Sequence, residues 1–388
     1  MQPDVALIAP YPPHGVRHGG HSGVASYTAN LAHALADHGV RVAVVADRVE
    51  GDPARFDDGP VEVHRAFDLG ATALPTAARR ARALGAPVVH LQFELFLYGG
   101  AASLPGLFPA LATLRRRRGA APLVTTMHQV VDPAEIDRAY TRLHRVPAPA
   151  LVARRGMAAV QSAIGHASAR VVVHEEPFRA AVADATVIPH GIEVRTHEGR
   201  AKAREALGLD ADRFVALCFG FLAPYKGLEV VLEAAALAGP GVEVVVAGGE
   251  HPRLAGDDGF GAALRRRYGD VARFTGWVAD ADVSRWFAAA DVAVFPYPKP
   301  FSSSGALALA LSLGTPVLLS PALARCAGAP SATAVALDAP AIAERLHELA
   351  RSPEELDALA AWSATLAAGR SWSAVAGRHA HLYEEVSA

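Results

Sequence analysis

The sequence contains little that would build a covalent framework or attract a polyanion. It has two cysteines among 388 residues, and because Cys218 and Cys326 both lie in apolar stretches, we predict buried thiols in a reducing compartment. The formal net charge is −2, which gives no reason to expect a nucleic-acid partner. The first residues form a predicted strand without a basic segment, so we expect no signal peptide and a cytoplasmic location.

One long stretch lacks charged residues altogether. Ser302 to Ala324 is long enough to span a bilayer, but Gly314, Pro316 and Pro321 divide it into a short helix and a short strand. Such runs are typical of a parallel sheet that is covered on both faces. We therefore interpret this stretch as protein core.

The histidine- and glycine-rich loop near the N-terminus lacks the features of two common sites. It has no G-x-G-x-x-G fingerprint, which argues against a dinucleotide cofactor. His14, His18 and His21 are separated by glycines and have no adjacent carboxylate, so a metal site is disfavoured by ligand number and geometry. We predict no metal site and no cofactor.

Buried strands alternate with helices along the whole chain, which predicts an α/β fold with two doubly wound, Rossmann-like domains. The first series begins at Val5 and the second at Phe214. Between them, a strand ending in Pro-His-Gly at Gly191 is followed by polar, charged residues. We predict domains at 1–185 and 186–370, followed by a C-terminal helix at 371–388.

The segment from Phe295 to Ser320 is the strongest candidate for a ligand site. It predicts a strand, a polar loop, a helix and a second strand, with the loop at the carboxyl edge of a parallel sheet. Ser302, Ser303, Ser304 and Gly305 would lie at the helix N-terminus, where free N–H groups suit a phosphate. An ordinary N-cap serine explains the same residues equally well.

A histidine also falls at the carboxyl edge of the first predicted sheet. His128 follows the strand Leu123 to Thr126 directly, and functional residues concentrate on such loops. Loop and helix-cap histidines are common too. Position alone therefore leaves both interpretations of His128 open.

Six segments in order along the chain resemble one known group of enzymes. They are GGHSGVASYTANLAHALADHGVRVAVV, LVTTMHQV, TVIPHGIEV, GFLAPYKGLEVVLEA, FTGWVADADVSRWFAAADVAVFPY and GTPVLLS. Together they are similar to the GT-B fold glycosyltransferases of family 4, retaining enzymes that use nucleotide-sugars. The resemblance implies two Rossmann-like domains facing a cleft, an acceptor domain followed by a donor domain, and a C-terminal helix that returns to the first domain.

The resemblance also implies roles for particular residues. Lys226 would offset the diphosphate charge, and His128 would contact the donor sugar near the reacting carbon. The other donor-binding positions would be Gly23, Trp277, Val278, Ser303, Ser304, Gly305 and Ala306. The substrate would be a UDP- or GDP-sugar, and charge developing on the leaving phosphate would be stabilised without a metal.

The chain departs from the family pattern at three positions. Phe301 and Leu309 stand where the family usually has glutamates, and Phe221 stands where it has a basic residue. Because Phe301 cannot act as a nucleophile, front-face attack is favoured over a covalent intermediate. Glu94 is the one acidic residue expected near the sheet edge of the acceptor domain, where a solvated loop charge is the simpler interpretation.

The sequence leaves the acceptor and two other functions open. A glycan, a lipid or a natural product fits the family, and Arg115 to Arg118 could contact anionic lipid at a membrane surface or simply end a helix. One alternative is a catalytically silent GT-B module that acts as a partner or scaffold, as the absent glutamates suggest. Another is a different sugar-nucleotide enzyme, such as an epimerase or a phosphorylase, although epimerases need paired acid and base groups.

Overall fold

The computed structural model of the protein describes residues 2–16, 22–95, 97–115, 119–143, 146, 148–179, 182, 184–250, 259–299 and 304–388. The described parts of Met1–Gly191 and Trp372–Ala388 form one compact unit, the N-terminal unit. Those of Ile192–Pro300 and Ser304–Ser371 form a second, the C-terminal unit. The predicted boundary at 185 therefore falls six residues before Gly191, because the strand Thr186–Val187 still pairs within the first sheet.

The N-terminal unit is built on a sheet with the strand order β3-β4-β2-β1-β5-β6-β7-β8. All of its pairs are parallel except β3 with β4. The strands are β1 Val5–Ile8, β2 Val42–Asp47, β3 Arg55–Asp58, β4 Val61–Phe67, β5 Val88–Phe93, β6 Leu123–Met127, β7 Arg170–Val173 and β8 Thr186–Val187. The helices are α1 Gly23–Asp37, α2 Ala73–Ala83, α3 Leu104–Leu114, α4 Arg138–Leu143, α5 Ala150–Ala167 and α6 Glu176–Arg179.

The C-terminal unit has a fully parallel sheet with the order β11-β10-β9-β12-β13. Its strands are β9 Phe214–Phe219, β10 Val242–Ala247, β11 Ala272–Gly276, β12 Val292–Phe295 and β13 Val317–Leu319. Its helices are α7 Arg200–Leu207, α8 Leu228–Ala238, α9 Phe260–Tyr268, α10 Asp280–Ala289, α11 Gly305–Ser312, α12 Pro321–Ala327, α13 Ala339–Arg351 and α14 Pro353–Gly369.

Both sheets carry hydrophobic core on each face. Successive residues of β1 lie in opposite hydrophobic clusters, with Ile8 packed on one face of the sheet and Leu7 on the other. Leu217 and Cys218 of β9 divide in the same way between two clusters. Since neighbouring strand residues point to opposite faces, each sheet is covered by helices on both sides. This confirms the predicted fold class of two Rossmann-like, doubly wound domains.

The last helix, α15 Trp372–Ser387, packs in the N-terminal unit. Val375, Leu382 and Tyr383 share a cluster with Leu31 and Leu35 of α1. At its start, Ser373 Oγ lies 3.0 Å from His38 Nε2. The C-terminal residues of the chain thus complete the core of the N-terminal unit.

The uncharged stretch is divided as its glycine and prolines predict. Its described part forms α11, a turn at Gly314 and the buried strand β13. Gly314 has a φ of 64°, which a glycine adopts without strain. None of the helices within the described residues has the length and apolar character that crossing a bilayer requires.

Candidate active site

Lys226 lies just after the carboxyl end of β9, at the end of a short 3-10 turn, Pro224–Lys226. Gly227 follows with a φ of 65°, and a Cβ there would lie 2.6 Å from the carbonyl oxygen of Pro296. Only glycine fits that position, because both the backbone angle and the close approach exclude a side chain. The Lys-Gly pair therefore turns the chain so that the lysine points inward.

The ammonium group of Lys226 is buried, and the part of the chain that the structure describes places no counter-ion beside it. The residue is 7% exposed, and among the described residues no carboxylate lies within salt-bridge distance of its Nζ. The Nζ atom lies 5.8 Å from the centroid of the Tyr297 ring, a cation–π distance. Burial lowers the pKa of Lys226 to about 8. An isolated buried cation is costly, so this arrangement favours a bound anion.

The start of α11 lies in the same unit and is connected to Lys226 through Tyr297. Ser304 is the N-cap, and its Oγ accepts a hydrogen bond from the Leu307 N–H at 3.2 Å. The same hydroxyl lies 3.4 Å from the phenolic oxygen of Tyr297. The N–H groups of Gly305 and Ala306 belong to the first turn, where a helix offers them no partner of its own. Ser303 and Phe301 lie outside the described residues.

Two aromatic rings stand at the ends of β9 and β11. Trp277 is 68% exposed, and its ring centroid lies 5.8 Å from that of Phe221. A Cβ on Gly249 would make ordinary van der Waals contact with Trp277, at 3.5 Å. The side chain of Val278 is buried in the same hydrophobic cluster as Phe287. A ligand would therefore contact the backbone of Val278 rather than its side chain. The predicted contacts of Trp277 and Val278 with a nucleoside base stay a prediction, and the half-buried ring of Phe221 lies beside Trp277.

His128 follows β6 directly and is part of a buried polar chain. It is 8% exposed, and its Nε2 lies 2.8 Å from the side-chain amide of Gln92 while its Nδ1 lies 3.2 Å from Nε2 of His174. Burial, with neighbouring histidines second, holds the pKa of His128 well below its usual range. Both ring nitrogens are engaged within the unit. The expected contact of His128 with a donor sugar stays a prediction.

The residues around His128 were not predicted from the sequence. Tyr27 of α1 packs its ring edge-on against His128, with centroids 4.6 Å apart. His90 and Gln92 alternate along β5, and both are fully buried. Two polar residues at alternate positions of an otherwise apolar strand face the same side. That spacing is the signal from which a buried polar cluster could have been found.

The other sequence candidates lie at separate places in the N-terminal unit. Gly23 is the first residue of α1, and a Cβ there would have nothing within 4 Å. Glu94 follows β5 directly and is half-buried. Arg115 ends α3 and is exposed, whereas residues 116–118 lie outside the described residues.

The described residues contain no group of three or more histidine, cysteine, aspartate or glutamate side chains that could hold a metal ion. His14 donates its backbone N–H to Asp52 at 3.1 Å, and His18 and His21 lie outside the described residues. Asp282 lies in the first turn of α10 and pairs with Arg285 at 2.6 Å.

Two protein-family models match most of the chain. Residues 21–196 match the model described as Glycosyltransferase Family 4, and residues 213–352 match the one described as Glycosyl transferases group 1. The first match begins beside α1 and includes His128. The second includes Lys226, Trp277 and the start of α11.

Curated relatives and solved structures agree with the family models. A D-inositol 3-phosphate glycosyltransferase of Streptomyces avermitilis is 33% identical over 53% of this chain and 47% of its own length. One from Mycobacterium bovis is 31% identical over 70% of this chain and 55% of its own. The chain thus spans about half the length of the first curated relatives that it matches.

The solved structures share the fold over nearly the whole chain. Sucrose-phosphate synthase from Thermosynechococcus elongatus aligns with a TM-score of 0.72 at 20% identity, covering 98% of both chains. Anabaena HepE in complex with UDP-glucose aligns with a TM-score of 0.67 at 16% identity, covering 98% of this chain and 99% of that one. At such identities the likeness concerns the fold alone.

Proposed function

The chain belongs to glycosyltransferase family 4, and we propose that it moves a sugar from a UDP- or GDP-sugar to an acceptor with retention of configuration and without a divalent metal. Some of its relatives are named D-inositol 3-phosphate glycosyltransferases. We therefore propose D-inositol 3-phosphate as the first acceptor to test. Glycan, lipid and natural-product acceptors are the wider range to be tested after it.

The observation that carries this proposal is the buried ammonium of Lys226. Among the described residues it has no carboxylate partner, and the nearby start of α11 adds free N–H groups and the positive end of a helix dipole. Both features are suited to a diphosphate. In the transfer step the bond from the anomeric carbon to the diphosphate oxygen breaks, and Lys226 stabilises the charge that develops there.

The exposed ring of Trp277 and the half-buried ring of Phe221 beside it supply a place for the nucleoside base. Stacking on aromatic side chains tolerates any base, which is why we keep UDP and GDP as alternatives. In Anabaena HepE the solved complexes contain UDP or UDP-glucose. We therefore expect UDP to be the first nucleotide worth measuring.

Front-face attack is our preferred route to retention. A covalent route needs a carboxylate close to the anomeric carbon, and position 301 carries phenylalanine. If a covalent route operated, Glu94 of the N-terminal unit would be the candidate nucleophile, since it directly follows β5. In front-face attack, the acceptor hydroxyl attacks from the side on which the diphosphate leaves.

Calorimetry with UDP and GDP, followed by transfer assays with UDP- and GDP-sugars, tests the proposal. We expect one nucleoside diphosphate to bind and the matching sugar donor to be hydrolysed or transferred. Failure of both nucleotides to bind contradicts the donor site. Binding without turnover of any donor favours a catalytically silent module, and release of an isomerised nucleotide-sugar favours an epimerase.

A further inference from the structure

His128 belongs to a series of hydrogen-bonded side chains in the N-terminal unit, and a backbone carbonyl fixes the direction of the first hydrogen bond in this series. The carbonyl oxygen of Ile188 lies 2.9 Å from Nδ1 of His174, and a carbonyl can only accept. His174 must therefore carry a proton on Nδ1. If His174 is neutral, its Nε2 is bare and accepts from Nδ1 of His128, 3.2 Å away. A neutral His128 then has its proton on Nδ1 and a bare Nε2.

The residue that faces this bare nitrogen is Gln92, whose Oε1 lies 2.8 Å from Nε2 of His128 in the structure, while its amide nitrogen lies 3.3 Å from Nε2 of His90. A half turn of the amide exchanges these two atoms, and the hydrogen-bond network decides between the two orientations. With its oxygen turned to Nε2, the amide requires a proton on Nε2, and the His128–His174 pair then holds one proton more than two neutral rings. With its NH₂ turned to Nε2, the amide donates, and the pair is neutral. The two amide orientations thus correspond to two protonation states.

The other side of Gln92 fits the neutral arrangement. Its amide lies 3.3 Å from Nε2 of His90, and that nitrogen lies 2.8 Å from Oγ1 of Thr126. The hydroxyl of Tyr383 lies 2.6 Å from Nδ1 of His90 and can donate to it. His90 is then neutral with its proton on Nε2, which donates to Thr126 and to the Gln92 oxygen. Each of the six hydrogen bonds named here then has one donor and one acceptor while all three histidine rings are uncharged.

The surroundings of His128 oppose an extra proton. The titratable groups that act on it electrostatically are His174, His190, His90 and His379, and the rings of Tyr27 and His174 pack against it. Within the described residues, no carboxylate lies within salt-bridge distance of His128. Burial and these histidines depress the pKa of the ring, in agreement with the neutral arrangement.

We infer that Gln92 is a positioning residue: with its amide turned by half a turn from the orientation in the structure, its NH₂ donates to Nε2 of His128 and so fixes this ring as the neutral tautomer with its proton on Nδ1. Its importance for transfer rests on the proposed function. The transition state of glycosyl transfer gathers positive charge at the sugar ring, and an imidazolium at His128 would oppose that charge. A neutral His128 does not.

Nitrogen NMR of the protein labelled with ¹⁵N in its histidine rings tests the tautomer directly. Ring signals are assigned to His128 through bonds to its backbone, so that no deletion variant is needed. At pH 7.5 we expect a protonated Nδ1 and a bare Nε2 in the wild-type protein. A protonated Nε2 on His128 overturns the inference, whatever the enzyme's turnover.

The matched variants are Gln92→Glu and Gln161→Glu. Gln161 is also buried in this unit, where it donates to the carbonyl of Val131 at 2.8 Å. In Gln92→Glu the carboxylate can only accept, so we expect the His128 proton on Nε2 and a raised pKa. Gln161→Glu should leave the His128 signals as in the wild type. Unchanged His128 signals in a folded Gln92→Glu protein overturn the inference.

Kinetics separate this role from a merely structural one. We expect Gln92→Glu to lower kcat by about tenfold to a hundredfold, with the donor KM within about twofold of the wild-type value. Its kcat should rise as the pH passes the new His128 pKa, whereas the wild-type profile stays flat there. A kcat equal to that of the wild type across the pH range overturns the importance of Gln92 for transfer. Absence of turnover in the wild type contradicts the proposed function instead, and the NMR result still stands.

Discussion

A Cβ atom on Gly220 would lie 2.7 Å from Nζ of Lys226. Gly220 has a φ of 106°, so its backbone angle favours glycine, and a side chain there would push the ammonium aside. On its other side, the carbonyl oxygen of Gly220 would lie 2.1 Å from a Cβ on Gly248. The ends of β9 and β10 thus approach closely because both lack side chains, and this leaves room for the lysine.

Gly220→Ala should therefore displace the ammonium of Lys226. We expect nucleoside diphosphate affinity to fall at least tenfold, and the free energy of unfolding to fall by about 1–3 kcal/mol because alanine is strained at this φ. Calorimetry and urea unfolding measure the two effects. Gly241→Ala, directly before β10, is the control, since a Cβ there would have nothing within 4 Å. Equal affinity in Gly220→Ala and wild type would contradict the close fit.

Lys226→Met should separate stability from activity. Methionine has a similar length, and among the described residues the lysine has no carboxylate that its loss would leave unpaired. We expect kcat/KM for the donor to fall about 10²- to 10³-fold, while the free energy of unfolding stays equal or rises because a buried charge is removed. Lys202→Met, at a lysine whose side chain is 78% exposed on α7, is the control. A strong loss of stability in Lys226→Met would contradict the interpretation that the buried ammonium of Lys226 has no compensating partner.

Much of the fold was predictable because strands and helices follow local pattern. Gly314, Pro316 and Pro321 divide the uncharged stretch, and from them α11 and β13 could be predicted. The six motifs in their order along the chain were sufficient to predict the family. The hairpin of β3 and β4 was not predicted, since Arg55–Asp58 is a charged edge strand without an apolar run. Arg55–Asp58 is a strand because it pairs antiparallel with Val61–Phe67. Its own residues do not favour a strand, so this pairing could not be predicted from local pattern.

The polar chain around His128 was missed for a related reason. Gln92 lies opposite Thr126 in the register of β5 and β6, and His174 comes from the end of the next strand. Three strands that are distant in sequence bring these side chains together. Strand register and side-chain rotation decide such contacts, and neither can be read from one sequence.

Activity should not depend on a divalent metal, because the cation of Lys226 and the start of α11 already face the proposed diphosphate. We expect enzyme dialysed against EDTA and assayed in metal-free buffer to keep most of its turnover. The same assay with added magnesium or manganese is the comparison. Complete loss in EDTA with recovery on adding either ion would refute metal independence.

The product should keep the anomeric configuration of the donor, and no glycosyl-enzyme adduct should form. NMR of the freshly formed product reads the configuration, and inversion would contradict the family mechanism. Intact-mass spectrometry after quenching with a slow fluorinated donor looks for an added sugar. An increment that maps to Glu94 would replace front-face attack by a covalent route, and Glu94→Gln would then lose the increment.

The protein should lose stability in mild acid because its buried histidines resist protonation. Burial holds the pKa of His90 and His128 well below the usual range and lowers that of His379 to about 3. The unfolded chain takes up these protons near pH 6.5. Between the folded and unfolded pKa values the unfolded state binds more protons, so stability is fully present above pH 6.5 and falls as the pH falls below it.

For the three groups together, we expect the free energy of unfolding to fall by about 4 kcal/mol for each pH unit below pH 6. Urea unfolding at a series of pH values measures this slope. His379→Leu should reduce the slope by about a third. At pH 7.5 it should cost little stability, because neither ring nitrogen of His379 has a hydrogen-bond partner among the described residues.

His381→Leu is the matched control, on the same helix but with a side chain that is 73% exposed. Because this side chain stays in solvent when the chain folds, its loss should leave the slope unchanged. If His379→Leu and His381→Leu had the same slope as the wild type, the buried histidines would not be the cause of acid unfolding. If both variants reduced it equally, burial would not be what distinguishes His379.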